Sequence, residues 1–425
     1  MTAASRFAPL AGEGSTTVAS GLNPVERLVA GVCLVYPFRI FLNEITHVDF
    51  HIGLVSVALL VGCVLITVRE LPAGFPTALD AAVIIFAEIA AANFWLLTGP
   101  TPLAIKGLSV EGRFIAFYFL ARLLGLRREF LSWLCMALAA IGIAEAVVGA
   151  LEYHLGWGTL LRLCGRTWTA SFWKMGLPRL YSFAMDPLSA GYILVLALAG
   201  CIYLARVDRR TFAALGVLAI WQALPLTLAR VPVTFALGMT VAFAILDRRR
   251  GLWFAKLSVA AIGAAAAVFL LRGWNEPLIE YAAVGGTLGD TSAAVHEWAV
   301  RRGITLMFQQ PLGVGLGEAG LIGIWGGGSF PVNETYYVTL GVQLGFPGLV
   351  AFVAVVAAAG GTWLRLLRTS SIETRAIGGA GLAIWMLMLL GGMFSGSWNM
   401  LVAQFYFWVL TGAAENCAAT NLRAR

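Results

Sequence analysis

Apolar residues in this chain run in long, nearly unbroken stretches separated by short polar breaks. A helix needs roughly 20 apolar residues to cross a bilayer's hydrocarbon, and counting such stretches gives about twelve. They lie near 25–43, 52–68, 79–98, 106–125, 130–153, 188–205, 211–229, 231–247, 254–271, 338–364, 376–394 and 398–414. The stretch 338–364 contains Gly345-Phe346-Pro347-Gly348, which predicts a half-helix followed by a full span. The fold class expected is an all-α polytopic membrane protein with a large, partly helical periplasmic loop. The segments are then a cytoplasmic tail over 1–24, helices 1–9 over 25–271 with an outer loop at 154–187, a periplasmic loop with a surface helix over 272–337, helices 10–12 over 338–414, and a cytoplasmic tail over 415–425.

Orientation follows from Lys and Arg in the short connections. Arg69, Arg122, Arg127, Arg128, Arg206, Arg209, Arg210, Arg248 to Arg250, Arg365, Arg368, Arg375, Arg423 and Arg425 all fall on one face under this count, which predicts that face to be cytoplasmic. The opposite face owns the two long loops. From Thr291 to Gln310 the second loop has no proline, with N-cap residues Asp290-Thr291-Ser292 before it and Pro311 and Gly313 after it. A helix on or near the membrane surface is expected there.

Composition agrees: 60% of the 425 residues are hydrophobic and 12% are charged, against about 25% charged in soluble domains. The net charge of +7 is accounted for by loop arginines and implies no nucleic-acid partner. The six cysteines are scattered and the four histidines lack ligand spacing, so neither a disulfide framework nor a metal site is expected. The first 23 residues lack the basic-then-apolar order of a cleavable signal, so the first apolar segment is expected to remain as an anchor. No cytoplasmic connection is long enough for a nucleotide-binding domain, which argues against an ATP-driven pump and against a nucleotide-sugar enzyme working from inside.

Chemistry is concentrated on the outer face. Arg230 stands between apolar residues at a span end, as either a lipid-phosphate anchor or an anion-binding residue; a guanidinium fork matches phosphate oxygens in pairs. Arg179 precedes the sixth span, and Arg301 and Arg302 lie on the loop helix, about 100° apart, so they cannot share one face. Glu334 sits where loop becomes helix, as either a helix-terminal carboxylate or a general base for an acceptor hydroxyl. His296, Tyr336, Tyr337 and Asp186 are further possible contacts. Within the spans, Glu88 and Glu145 are read either as a proton path or as buried carboxylates paired with polar neighbours. The run Gly313-Val314-Gly315-Leu316-Gly317 has the letters of a dinucleotide fingerprint without its strand–turn–helix context; it reads as a pliable turn that lets backbone approach a ligand or a helix.

Four segments together resemble the O-antigen ligase and Wzy polysaccharide polymerase superfamily. RLYSFAMDPLSAGYIL is similar to that family's arginine- and aromatic-bearing lead into a mid-chain span. LTLARVPVTFAL resembles its arginine-containing span start, with Ala229 in place of the usual serine. MFQQPLGVGLGEAG resembles its Pro-Leu-x-Gly-Val-Gly run, and ETYYVTLGVQLGFPGLVAF its His/Glu-led segment, with Thr335 replacing the common asparagine. The family's loop-helix arginine is not in register; His296 falls near it, and Arg301 and Arg302 come later. The resemblance spans residues 175–365 and implies a GT-C-like membrane glycosyltransferase of the bacterial inner membrane, with its active site facing the periplasm. It implies inverting transfer of an undecaprenyl-diphosphate-linked glycan, with Arg179 and Arg230 (and Arg301 or Arg302) on the diphosphate and Glu334 as base. Neither cofactor nor metal is implied; membrane lipids and a chain-length regulator are the expected partners. Glutamate rather than histidine at 334 favours a polymerase over the alternative, a ligase acting on lipid A-core. A transporter of polyisoprenyl-linked substrates is the reading from another class.

Overall fold

A computed structural model of the chain describes residues 21–46, 72, 74–155, 159, 162, 173–174, 177–271, 291–328, 330, 335–394, 398 and 400–423. The fold is all-α. In chain order the helices are α1 (Pro24–Val35), α2 (Arg39–Thr46), α3 (Ala78–Asn93), α4 (Pro102–Leu123), α5 (Arg128–Leu155), α6 (Pro187–Arg206), α7 (Arg210–Ala223), α8 (Arg230–Leu246), α9 (Arg248–Leu271), α10 (Thr291–Gln309), α11 (Gly320–Gly326), α12 (Tyr336–Leu367), α13 (Ile372–Phe394) and α14 (Leu401–Arg423). A two-residue hairpin, β1 (Trp173–Lys174) against β2 (Leu177–Pro178), is antiparallel, with Trp173 opposite Pro178.

Among the described residues, six helices are long and apolar enough to cross a membrane: Ala78–Thr98, Arg128–Tyr153, Pro187–Arg206, Arg210–Thr227, Tyr336–Leu367 and Ile372–Met393. They mark a membrane protein, but the count is six rather than the expected twelve. The expected first span is not one helix, because a 3-10 turn at Tyr36–Phe38, with Pro37 inside it, divides α1 from α2. α4 carries Lys106, Glu111, Arg113 and Arg122, too many charges for a plain span. α8 is apolar but short, with 17 residues. The stretch 52–68 lies outside the described residues.

α6 is the hub. It is apolar all round, as a helix enclosed by others should be, and its residues from Ala190 to Ala205 are buried. Small residues let α5 approach it: a side chain at Gly200 would strike the Cys135 carbonyl at 2.5 Å. Such small-residue crossings are the usual means of close helix contact in lipid.

The break in α12 falls where the sequence places it. Gly345 has φ 69° and ψ −172°, a left-handed-side backbone that glycine adopts without penalty. Two helical hydrogen bonds are lost there. Pro347 has no N–H for the Gln343 carbonyl, and the Phe346 N–H turns away from Val342. Both are replaced by the glycine run: Phe346 N donates to the Pro311 carbonyl at 2.9 Å, Val314 N to Val342 at 2.9 Å and Gly315 N to Gln343 at 3.0 Å. The Asn93 amide also donates to Gln343 O, at 3.1 Å. The run is thus an ordered seat for the kinked helix, with buried backbone groups satisfied as they must be. Of its two expected uses, approach to a helix is the one observed.

Candidate functional site

The segment before α6 is fastened at every polar residue. Arg179 Nε donates to the Thr227 carbonyl at 2.8 Å, and Leu180 N to the Leu226 carbonyl at 2.8 Å. The Tyr181 hydroxyl donates to Glu152 at 2.6 Å and Ser182 Oγ to the Glu145 carbonyl at 2.9 Å. Met185 closes the turn with φ 55°, and Asp186 caps α6 by accepting from Ser189 N at 2.7 Å. Asp186, a possible substrate contact by sequence, is therefore engaged as a helix cap. The carbonyl held by Arg179 belongs to the 3-10 turn Pro225–Thr227, which ends at Leu228 with φ 49°; Arg230 then opens α8 and is exposed. Arg179 and Arg230, remote in sequence, therefore stand on two segments that meet in one corner.

A second region lies between the loop helix and α12. α10 packs its Ala299, Gly303, Leu306 and Met307 face inward, while Trp298, Ile304 and Phe308 stay exposed at 57%, 44% and 72%. Beside it runs an open groove of about 810 Å³ lined by His296, Arg301, Thr335, Tyr337 and Leu389, among others. Arg301 lines this groove and forms an ion pair with Glu297 at 2.6 Å. Arg302 is exposed and is absent from the lining, which separates the two adjacent arginines. Tyr337 lines the groove although its hydroxyl donates to the Leu389 carbonyl at 3.0 Å. Thr335 is the N-cap of α12, accepting from Val338 N at 3.3 Å, so the terminus has its cap at the residue after Glu334. Glu334 itself lies outside the described residues. Neither Arg179 nor Arg230 lines this groove.

Tyr336 does not line the groove. Its ring is 1% exposed, and its hydroxyl donates to Glu111 Oε2 at 2.6 Å. The other Glu111 oxygen accepts from Gln343 Nε2 at 3.4 Å, and Gln343 Oε1 accepts from Gly317 N at 2.8 Å. One polar chain therefore ties the glycine run, the kinked helix and α4 together. It fixes the start of α12, so Tyr336 holds that helix in place and does not line the groove.

Sequence reasoning missed the residues on α4. Arg113 lines a lateral groove of about 650 Å³ with Tyr36, Ser109, Gly112 and Leu401. Its Nε is buried and has no hydrogen-bond partner among the described residues. Arg39 lies within electrostatic range of it, donating to the Tyr36 carbonyl at 3.1 Å with its guanidinium 4.8 Å from the Tyr36 ring centre. The signal was available: an ionisable residue inside an apolar stretch is a functional candidate by default, and Glu111 and Arg113 both meet that description.

Of the intramembrane acids weighed by sequence, Glu88 is exposed on the flank of α3, not buried and paired. Glu145 is fully buried. Its carboxylate lies against the Ser182 hydroxyl and the N–H groups of Phe183 and Ala184 without a good hydrogen bond to any of them. No group of His, Cys, Asp or Glu among the described residues has the arrangement to hold a metal ion.

Compared with known proteins, the chain matches no protein-family model and no curated sequence. What the arrangement offers chemically is cationic: guanidiniums at a helix start, on a surface helix and in a lateral groove, each suited to phosphate oxygens.

Proposed function

We propose that this protein is a glycosyltransferase of the bacterial inner membrane that joins undecaprenyl-diphosphate-linked oligosaccharide units at the periplasmic face. The observation that carries the reading is the corner in which Arg179 docks on the turn leading into Arg230. Two guanidinium-bearing segments held together by the Arg179 side chain and a backbone hydrogen bond from Leu180 suit a diphosphate clamp, because the leaving group gains negative charge as its bond breaks. In this reading the acceptor hydroxyl oxygen attacks the anomeric carbon from the side opposite the diphosphate. The new C–O bond forms as the bond to the diphosphate oxygen breaks, the hydroxyl proton passes to the Glu334 carboxylate, and undecaprenyl diphosphate departs. Inversion follows from the single displacement. The groove lined by His296, Arg301, Thr335 and Tyr337 is assigned to the acceptor glycan, Thr335 being the residue that follows Glu334 in the sequence. The exposed apolar side chains of α10 suit a helix lying on the membrane surface.

The test is reconstitution of the purified protein in proteoliposomes with a lipid-linked repeat unit. A ladder of lengthening products is expected. Arg230→Ala should lower its rate by about 10²–10³-fold, the range for removing one transition-state donor, and Glu334→Ala by about 10²–10⁴-fold, the range for a general base, while both variants still insert and run as folded protein. Full activity in both variants would remove the proposed site. A single addition to a lipid A-core acceptor instead of a ladder would make the enzyme a ligase, and flux across the vesicle without chain growth would make it a transporter.

A further inference from the structure

At the end of the bundle opposite α10, an apolar slot opens into a cationic recess. The slot, about 330 Å³, lies between α6, α8 and α13 and is lined by Ile202, Phe235, Met239, Phe243, Ala383 and Leu387, among others. Arg206, Leu246 and Leu367 line both this slot and a polar recess of about 370 Å³, which adds Asp247, Arg250 and Arg375. Three arginines therefore face one aspartate at the mouth of a hydrocarbon-lined channel.

Arg206 is built into this junction. It is 12% exposed at the side chain, and its Nη1 donates to the Arg375 carbonyl at 3.1 Å. Its guanidinium stands 5.3 Å from the Phe243 ring centre. Asp247 is 3.9 Å from Nε, too far for a hydrogen bond, and Nε has no such partner among the described residues. Gly379 leaves the room for this placement, since a Cβ there would be 2.1 Å from Nη1. Arg250 is shared between Asp208 at 2.8 Å and Asp247 at 3.8 Å.

We propose that this slot and recess form a binding site for an anionic diacyl phospholipid, with one acyl chain in the slot and the phosphate between Arg206 and Arg375. Charge complementarity selects the occupant: a neutral zwitterionic headgroup does not offset the arginine excess, and a free phosphate leaves the slot unfilled. The site does not depend on the glycosyl-transfer reading, because none of its residues belongs to the corner or to the groove beside α10. It lies at the end that the distribution of Lys and Arg assigns to the cytoplasm, where anionic lipids give the leaflet its negative potential.

The test uses the full-length protein, stripped of lipid in detergent, with heat unfolding followed during titration by phosphatidylglycerol, by phosphatidylcholine of the same acyl chains, and by glycerol phosphate. Phosphatidylglycerol should raise the midpoint at concentrations where the other two do not. Arg206→Gln and Arg375→Gln should each weaken that response about fivefold, the scale for one arginine near an anionic surface. Arg206→Gln risks the fold, so Gly238→Leu provides the second arm. A Cβ at Gly238 meets nothing within 4 Å, and the residue lines the slot, so leucine there fills the channel without disturbing the arginines and should abolish the preference. Equal responses to the two lipids, an equal response to glycerol phosphate, or an intact preference in Gly238→Leu would each overturn the proposal.

Discussion

The two ends of the bundle treat charge differently. At the end formed by the C-termini of α4, α6 and α12, most charged side chains close on one another, the recess beside Arg206 being the exception. Arg122 and Asp80 are both 0% exposed and meet at 3.2 Å, with the Tyr118 hydroxyl donating to the same carboxylate at 2.6 Å and Arg122 Nη1 bonded to Asn416. Arg127 holds the buried Glu26 at 2.7 Å, and Arg365 holds the buried Glu415 at 2.7 Å. Elsewhere the cations are more exposed. Arg301 is 79% exposed in its surface pair with Glu297, and Arg230 opens a helix at the surface, while midway along α4 the Arg113 Nε has no hydrogen-bond partner among the described residues. A buried charge without a partner is costly, whereas a closed pair locks elements together. Closed networks are therefore expected to govern stability, and guanidiniums outside them to govern binding.

The strongest test of that contrast is at the closed end. Asp80→Ala or Arg122→Ala strands one buried charge, and each should cost about 3–5 kcal/mol, read as a large fall in the heat-unfolding midpoint and in folded yield. Replacing both partners with apolar residues of similar size, as in Asp80→Leu with Arg122→Met, should recover much of that loss, because the stranded charge is gone. Single variants that unfold like the wild type would show that the pair does not hold α3 to α4.

Smaller in stability, but sharper for the site, is the contrast between adjacent arginines. Arg301→Ala removes a groove-lining cation whose exposed pairing with Glu297 is worth at most about 1 kcal/mol. Arg302→Ala removes a cation outside the lining. Both should unfold within about 0.5 kcal/mol of the wild type. In the polymerisation assay, Arg301→Ala should lose roughly tenfold, the scale for one charge-assisted hydrogen bond to a ligand, and Arg302→Ala should lose little. Equal activity in the two variants would detach the groove from the acceptor.

That contrast also marks what was legible in the sequence. The loop helix was readable from its caps and its lack of proline, and the α12 break from Gly345 and Pro347, because these are local backbone effects. The packing face of α10 was not. Val295, Trp298, Ile304 and Phe308 fall roughly on one side by pattern, and Trp298, Ile304 and Phe308 do stay exposed together, but no pattern singled out Ala299, Gly303, Leu306 and Met307 as the face that packs on the bundle. Arg122 was read as a loop charge because its partner, Asp80, sits 42 residues away. Glu111 and Tyr336 meet across 225 residues, a contact that no periodicity encodes. Span counting failed where it treated α4 as plain hydrocarbon and ignored its four charges, Lys106, Glu111, Arg113 and Arg122.

The smallest effect expected is a pH dependence at the closed end, on a connection outside the spans. Asp208 lies between α6 and α7, and hydrogen bonds from Arg250, with a lesser contribution from Arg210, hold its carboxyl below the ordinary 3.8. The unfolded chain therefore takes up a proton at Asp208 at a higher pH than the folded one does. Its contribution to stability is fully present above the ordinary carboxylate range and fades as pH falls through the depressed folded value. Asp208 is 57% exposed at the side chain, so screening keeps the effect small. Asp208→Asn should lower the unfolding midpoint slightly at pH 7, and the gap to wild type should close as pH is taken below 3.8. High salt at pH 7 should close it as well, because the pair is exposed to counterions. A gap that persisted under both conditions would mean that asparagine disturbs the turn itself, where Asp208 has φ 60°, rather than the charge pairing.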